Sequence, residues 1–345
     1  MSQPHTITLR PSGHSYPCEP QTAVLKGGLD AGLCMPYSCR SGVCRTCRGR
    51  VVEGRVEFGD VHPKYLSEAD KAAGYALLCC ARPLSDLVIE VNEIEDGAAI
   101  PARFMPVRVL KKELAAPDVM VLTLGLPMNE PSLFRAGQYI EFVLPDGSRR
   151  SYSMANAPSN DGVRRIELHI RHLPGGRFGD YVFQRLQVRD LLRLEMPLGS
   201  FFLRENSERP IVLLASGTGF APIQSMVEHS LARGLTRPIT LYWGARRRAD
   251  LYRGALAERW TSEHPHIRYV PVLSEPGEAC AWTGRTGFVH QAVMQDFPDM
   301  RDLAIYACGA PVVVESARRD FIRACKLPEN EFYADAFLTT ADKSA

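Results

Sequence analysis

Cys39, Cys44 and Cys47 stand four and two residues apart in the stretch YSCRSGVCRTC. Three thiols this close make a metal site only if a fourth soft ligand joins them. Cys79, in ALLCCARPL, completes a Cys-x4-Cys-x2-Cys run followed by a distant cysteine. That is the spacing of a 2Fe–2S cluster. Two irons need four thiolates, and a tight loop must aim backbone N–H groups at the sulfurs. Gly42 and the small residues Ser38, Ser41 and Thr46 let the backbone come close. The competing reading is a structural zinc site, which usually pairs two short-spaced cysteine couples. Cys80 competes for the fourth place. Along a strand, neighbouring side chains alternate, so Cys80 is expected to face away from Cys79. Cys80 and Cys34 are therefore expected to be small buried apolar residues, and Cys18, Cys280 and Cys325 have no partner spacing. Arg40, Arg45, Arg48 and Arg50 crowd the same loop and offer a docking patch for an acidic partner.

The chain that must position these thiols has 345 residues, 45% of them hydrophobic, enough for two or three domains with separate cores. A formal net charge of +2 argues against a nucleic-acid partner. No run of about 18 apolar residues is present, so no membrane-spanning helix is expected. The N-terminus lacks the apolar core of a secretory signal, which makes the cytoplasm the expected location and reduced thiols or metal ligands the expected state of the ten cysteines.

Three segments follow from the patterning. Residues 1–96 open with the strand-like HTITLR and close with SDLVIEVNEIE. Between them lie the helical spacing of TAVLKGGLDAGL and the serine-capped LSEADKAAGYAL, so this is a small α+β domain around the cysteine loop. DGAAIPARFMP reads as a linker punctuated by Pro101 and Pro106. Residues 103–205 hold closely spaced strand candidates, among them VMVLTLGL, QYIEFVL, RSYSMAN and RIELHIRHL, which suggest an antiparallel β-barrel. Residues 209–345 change rhythm. RPIVLLAS, PITLYWGA, IRYVPVLS and LAIYACG are each followed by a helical pattern, the mark of an α/β parallel sheet.

The cysteine loop, RSYSMANAP, IRHLPGGRF, GTGFAP and YACGAP occur in one order over essentially the whole chain. Together they resemble the ferredoxin–NADP⁺ reductase superfamily, in its variant with an N-terminal plant-type 2Fe–2S ferredoxin domain. The chain is similar to reductase components of bacterial ring-hydroxylating oxygenases, and equally to CDP-6-deoxy-glucoseen reductases. The resemblance implies a β-grasp ferredoxin domain, an FAD-binding barrel and an NAD(P)-binding domain. It assigns Arg150 to the flavin pyrophosphate, Tyr152 to the isoalloxazine and Ser153 to the neighbourhood of flavin N5. His169, Ile170, Arg171, Gly175, Gly176 and Arg177 form the phosphate-binding stretch, where two glycines before a helix let N–H groups approach. The family often carries Ser or Thr near Gly179, so one phosphate hydrogen bond lacks its usual hydroxyl donor here, and a backbone donor could replace it.

Gly217, Thr218 and Gly219 are the expected nucleotide turn. Cys308, Gly309 and Pro311 lie at a strand's C-terminal end, where the family places the cysteine beside nicotinamide C4. Phe337, or else Tyr333, is the candidate cover for the flavin. Arg246, Arg247 and Arg248 suit the 2′-phosphate of NADPH, and Asp250 suits the ribose hydroxyls of NADH. Three consecutive arginines cannot all face one phosphate, and the family variant mostly uses NADH. The expected activity is a reductase passing single electrons from NADH, or NADPH, through FAD and the cluster to a separate oxygenase. A sugar dehydrase as acceptor, a free-flavin reductase and a non-catalytic redox sensor are the rivals; the last two fit poorly with a complete set of redox motifs.

Overall fold

The computed structural model describes residues 3–94, 100–128, 131–277 and 280–337. The described residues among 1–101, together with Gly199–Phe201, form one compact unit; Ala102–Leu198 and Phe202–Phe337 form another. Among the described residues, one hydrophobic core gathers around Ile7 and Leu66 in the first unit, and others around Ile140 and around Tyr242 in the second.

The first unit contains β1 (His5–Arg10), β2 (Ser15–Cys18), α1 (Val24–Asp30), β3 (Arg48–Glu53), β4 (Val56–Glu57), α2 (Glu68–Ala72), β5 (Tyr75–Leu77), β6 (Arg82–Pro83) and β7 (Leu87–Glu90). Its sheet runs in the order β2-β1-β7-β3-β5. The parallel β1–β7 pair is flanked by antiparallel neighbours. Ile7, Leu9 and Ile89 alternate inward onto Val24 and Leu25, a half-buried pattern that seats α1 on one sheet face. The expected cap on the second helix is present. Ser67 Oγ accepts from the Asp70 N–H, and Asp70 returns a carboxylate to the Ser67 N–H, a reciprocal capping box.

The second unit opens with β8 (Arg103–Ala116), β9 (Val119–Gly125), β10 (Tyr139–Val143), β11 (Arg149–Ser153), β12 (Arg165–Arg171), α3 (Arg177–Gln184) and β13 (Leu191–Leu198). The strands order as β11-β10-β13-β8-β9-β12, all neighbours antiparallel. A bridge between Met154 and Leu168 joins the two outer strands and closes the barrel. Part of the linker expected at 96–106 lies outside the described residues. The rest corrects that expectation: β8 begins at Arg103, and Pro106 sits inside it opposite Arg193.

The third sheet comprises β14 (Ile211–Ser216), β15 (Ile239–Ala245), β16 (Ile267–Leu273), β17 (Arg285–Thr286), β18 (Ala304–Gly309) and β19 (Phe332–Ala336). Its order is β17-β16-β15-β14-β18-β19, parallel throughout. The crossover helices are α4 (Phe220–Ala232), α5 (Gly254–Glu263), α6 (Val289–Asp296) and α7 (Pro311–Ala324). The order turns between β14 and β18. Strands on either side of that point carry the two nucleotide motifs at their C-terminal ends, the usual ligand edge of such a sheet. Among the described residues, no helix is long and apolar enough to cross a membrane.

Candidate redox and nucleotide site

The cysteine loop spans the irregular stretch between α1 and β3. Arg40, Gly42 and Arg45 take left-handed φ values of 52°, 76° and 62°. Only Gly42 adopts this without steric cost, so the loop is held in a strained form, as functional loops often are. The strain turns amides onto sulfur: the Ser41 N–H points to Cys39 Sγ at 3.4 Å and the Cys39 N–H to Cys44 Sγ at 3.5 Å. Arg48 pairs with Leu77 across β3 and β5, and the Leu78 N–H donates to the Cys47 carbonyl at 3.0 Å. This register brings Cys79 beside Cys47.

The thiols thus lie as two interacting pairs, Cys39 with Cys44 and Cys47 with Cys79. The Cys44 thiol donates to Cys39 and draws the Cys39 pKa down. Among the described residues, no three His, Cys, Asp or Glu side chains gather to hold a single metal ion. Two soft pairs with sulfur-directed amides suit a binuclear group.

Cys80 corrects the sequence expectation. Residues 78–80 form a turn, not a strand, because the N–H groups of Cys80 and Ala81 both fold back onto the Leu77 carbonyl at 2.9 Å. Alternation no longer applies, and Cys80 Sγ lies 3.6 Å from Cys79 Sγ. Cys80 and Cys34 are half-buried rather than buried. The arginine patch is also tempered. Asp70 pairs with Arg48 at 2.8 Å and approaches Arg45 at 3.7 Å, while Glu90 pairs with Arg50 at 3.3 Å. Arg48 also lies over the Tyr75 ring, 3.6 Å from its centroid.

On β11 the flavin motif divides by strand alternation. Arg149 turns to Glu141 and Glu195. Arg150 and Tyr152 share the other face, with Arg150 Nη1 donating to the Arg149 carbonyl. Tyr152 packs against Phe142 and Phe178, at centroid distances of 5.9 and 5.6 Å. Ser153 is buried and its Oγ has no hydrogen-bond partner. A buried hydroxyl without a partner is costly unless a ligand completes it.

Past β12, Gly175 takes φ 78°, and α3 starts at Arg177. The N–H groups of Arg177, Phe178 and Gly179 belong to the first turn and have no intrahelical acceptor, which makes them phosphate donors. The Gly179 N–H is one of these three. The exposed Arg177 side chain pairs with Asp146 at 3.0 Å.

Ile170 faces the barrel core, whereas His169 and Arg171 face the nucleotide sheet. The His169 ring is fully buried between the Tyr252 hydroxyl, 2.8 Å away, and Glu167, 3.0 Å away. Any flavin contact by His169 is thus left to its backbone. The Arg171 guanidinium lies over the glycine turn. A Cβ on Gly217, which takes φ 55°, would be 2.6 Å from Arg171 Nη1. Arg171 Nη2 is buried without a hydrogen-bond partner, and Nε has only the ion pair with Asp118 at 3.1 Å. A pyrophosphate would satisfy both charge and geometry.

Gly217–Gly219 form a single tight turn leading into α4, fastened by Trp243 Nε1 donating to the Gly217 carbonyl at 3.0 Å. Thr218 is buried beside it. Cys308, fully buried at the end of β18, has its pKa pushed well up by burial, then by the Asp335 carboxylate opposite it on β19. It is a neutral thiol. Pro311 starts α7, and the Phe337 N–H donates to the Gly309 carbonyl at 2.8 Å. Tyr333 is set apart from that edge, stacked on Tyr306 at 4.7 Å. Beyond β15, Arg246, Arg247 and Arg248 are exposed. The Asp250 carboxylate accepts the Arg247 N–H at 3.1 Å and lies 3.9 Å from Arg246 Nε.

A polar network at the seam between barrel and nucleotide sheet escaped the sequence reading. Gln224 Nε2 reaches both Glu167, at 3.3 Å, and Glu228, at 3.1 Å. Burial and the Glu167 charge raise Glu228 to about 7. Burial also acts on Glu167, but its contacts with His169 and Arg253 leave its pKa lowered overall. The two carboxyls are thus pushed in opposite directions. The sequence signal was Gln224 and Glu228, four apart on one helix.

Three family models match in register with this geometry: a 2Fe-2S iron-sulfur cluster binding domain over residues 7–84, an oxidoreductase FAD-binding domain over 106–203 and an oxidoreductase NAD-binding domain over 213–319. The chain is 40% identical over 332 residues to CDP-6-deoxy-L-threo-D-glycero-4-hexulose-3-dehydrase reductase of Yersinia pseudotuberculosis, covering 96% of this chain and 98% of that protein. It belongs to the family of reductases that join a 2Fe–2S domain to FAD- and NAD-binding domains. Within this family it is also 36% identical to terephthalate 1,2-dioxygenase reductase component 1 of Comamonas sp., over 97% of this chain and 98% of that one. The crystal structure of the Amycolatopsis cytochrome P450 reductase GcoB superposes with a TM-score of 0.79 at 35% identity, covering 96% and 98% of the two chains. The chain is thus an oxidoreductase of the NAD(P)H, FAD and 2Fe–2S electron-transfer type. The free-flavin reductase and sensor readings are set aside.

Proposed function

We propose that this reductase takes electrons from NADH and delivers them singly to a separate terminal oxygenase component, in the cytoplasm, where its thiols stay reduced. The observation that carries the reading is the pairing of sulfur-directed loop amides with a buried, partnerless Ser153 hydroxyl. One site is shaped for a cluster and the other is incomplete without a ligand. Bound FAD would take up hydride and release electrons one at a time, and the cluster would carry them onward. Arg150 and the first-turn amides of α3 hold the flavin phosphates, Tyr152 packs on the ring, and Ser153 hydrogen-bonds at its edge. Arg171 and the Gly217–Gly219 turn hold the nucleotide pyrophosphate. Cys308, neutral and buried, positions the nicotinamide by packing and is not a nucleophile. Cys39, Cys44, Cys47 and Cys79 hold the irons.

The 40% identity to a hexulose dehydrase reductase favours a second acceptor, a sugar dehydrase. The test is NADH oxidation by the holoprotein with each acceptor class: a terminal oxygenase with its aromatic substrate, or a CDP-hexulose dehydrase with its sugar nucleotide. Coupled product formation with the oxygenase is expected. Product only with the dehydrase overturns the oxygenase assignment in favour of the second.

A further inference from the structure

We propose that Cys80 is a reserve ligand of the cluster, able to replace Cys79. This rests on the reading that Cys39, Cys44, Cys47 and Cys79 are the resident ligands. The turn at residues 78–80 throws two consecutive thiols to one side, 3.6 Å apart. Cys80 also points at the cluster loop itself: a Cβ on Gly42 would lie 2.9 Å from its Sγ. The turn is backed closely on its far side, where a Cβ on Gly59 would lie 2.7 Å from the Cys80 carbonyl oxygen. A rotamer step about χ1 of Cys80 is the smallest motion that would redirect its sulfur.

The exchange is a ligand substitution without redox change. The iron–sulfur bond to Cys79 breaks, and that thiolate takes up a proton. Cys80 loses a proton and forms the new bond. A soft thiolate so near an open iron position is a better ligand than water or serine.

The experiment compares Cys79→Ala, Cys80→Ala and the double substitution in the full chain, each loaded anaerobically with ferrous iron and sulfide. Alanine is used at position 79 because a serine oxygen could itself ligate. Cys79→Ala should retain iron, sulfide and a reduced-state EPR signal with shifted g values, and Cys80 should resist iodoacetamide until the cluster is stripped. The double substitution should lose iron and signal, and Cys80→Ala alone should keep the native signal. Loss of iron from Cys79→Ala down to the level of the double substitution overturns the proposal. A native signal in Cys79→Ala with loss in Cys80→Ala means instead that Cys80 is the resident ligand, and the assignment of Cys79 falls. If Cys79→Ala does not fold, as judged by far-UV circular dichroism, Cys79→Gly serves, and a loaded Cys79→Gly chain whose Cys80 is freely alkylated also overturns the proposal.

Discussion

A Cβ placed on Gly219 would lie 2.5 Å from the carbonyl carbon of Cys308 and 2.8 Å from the Gly309 nitrogen. The nucleotide turn and the end of β18 are therefore in backbone contact, and the two motifs form one surface. Gly219 has an ordinary helical φ of −57°, so space and not conformation demands glycine. Gly219→Ala should push the turn off β18 at a cost of ~1–3 kcal/mol or more. Stopped-flow reduction of the flavin by NADH should slow at least about tenfold, as a displacement worth 1.4 kcal/mol in the transition state would produce. Flavin and cluster absorbance should be retained.

Cys308→Ala should slow the same hydride step, while electron exchange between flavin and cluster stays near native. Burial keeps the thiol protonated, so iodoacetamide at pH 8 should leave Cys308 unlabelled in the folded chain, as read by peptide mass spectrometry. Unchanged hydride transfer in Cys308→Ala would reduce this residue to core packing.

Glu228 predicts a pH-dependent stability. Its folded pKa is raised from 4.5 to about 7 by burial and Glu167, against weaker help from Gln224, the Ala157 N–H and Arg253. Between those values the folded state binds more protons than the unfolded state, so stability falls as pH rises through the window. The cost, on the order of 1–2 kcal/mol after solvent screening, is complete above pH 7. Glu228→Gln should remove it. The thermal midpoint of flavin release should decline from pH 5 to 8 in the native chain and stay flatter in the variant. Parallel profiles would show that Glu228 does not carry the proton.

Nucleotide choice tests the edge beyond β15. With the Asp250 carboxylate 3.9 Å from Arg246 Nε, one of the three cationic side chains is partly neutralised. kcat/KM should favour NADH over NADPH by ~1–2 kcal/mol of transition-state stabilisation. A preference for NADPH that disappears in Arg246→Ala or Arg248→Ala would reverse the assignment.

Local pattern alone carried much of this protein. The spacing of Cys39, Cys44, Cys47 and Cys79, the capping box at Ser67 and the apolar runs of β14, β15, β16 and β18 are short-range signals, set by loop geometry and by periods of 2 and 3.6 residues. They sufficed for the cluster, the fold class and the order of the modules. What they could not decide was direction. Strand alternation sent Cys80 away from Cys79, but a local turn onto the Leu77 carbonyl ended β5 and turned both thiols together, and the long-range bonds of Leu78 to Cys47 and Leu25 hold that turn in place. The motif placed His169 and Arg171 in a phosphate-binding stretch, but where their side chains point is set by β12 lying between barrel and nucleotide sheet, so that they face Tyr252 and Gly217. The pairing of Glu167 with Glu228 joins residues 61 positions apart, a proximity that only the packing of α4 against β12 creates. A side chain's address is local, but its neighbours are chosen by the fold.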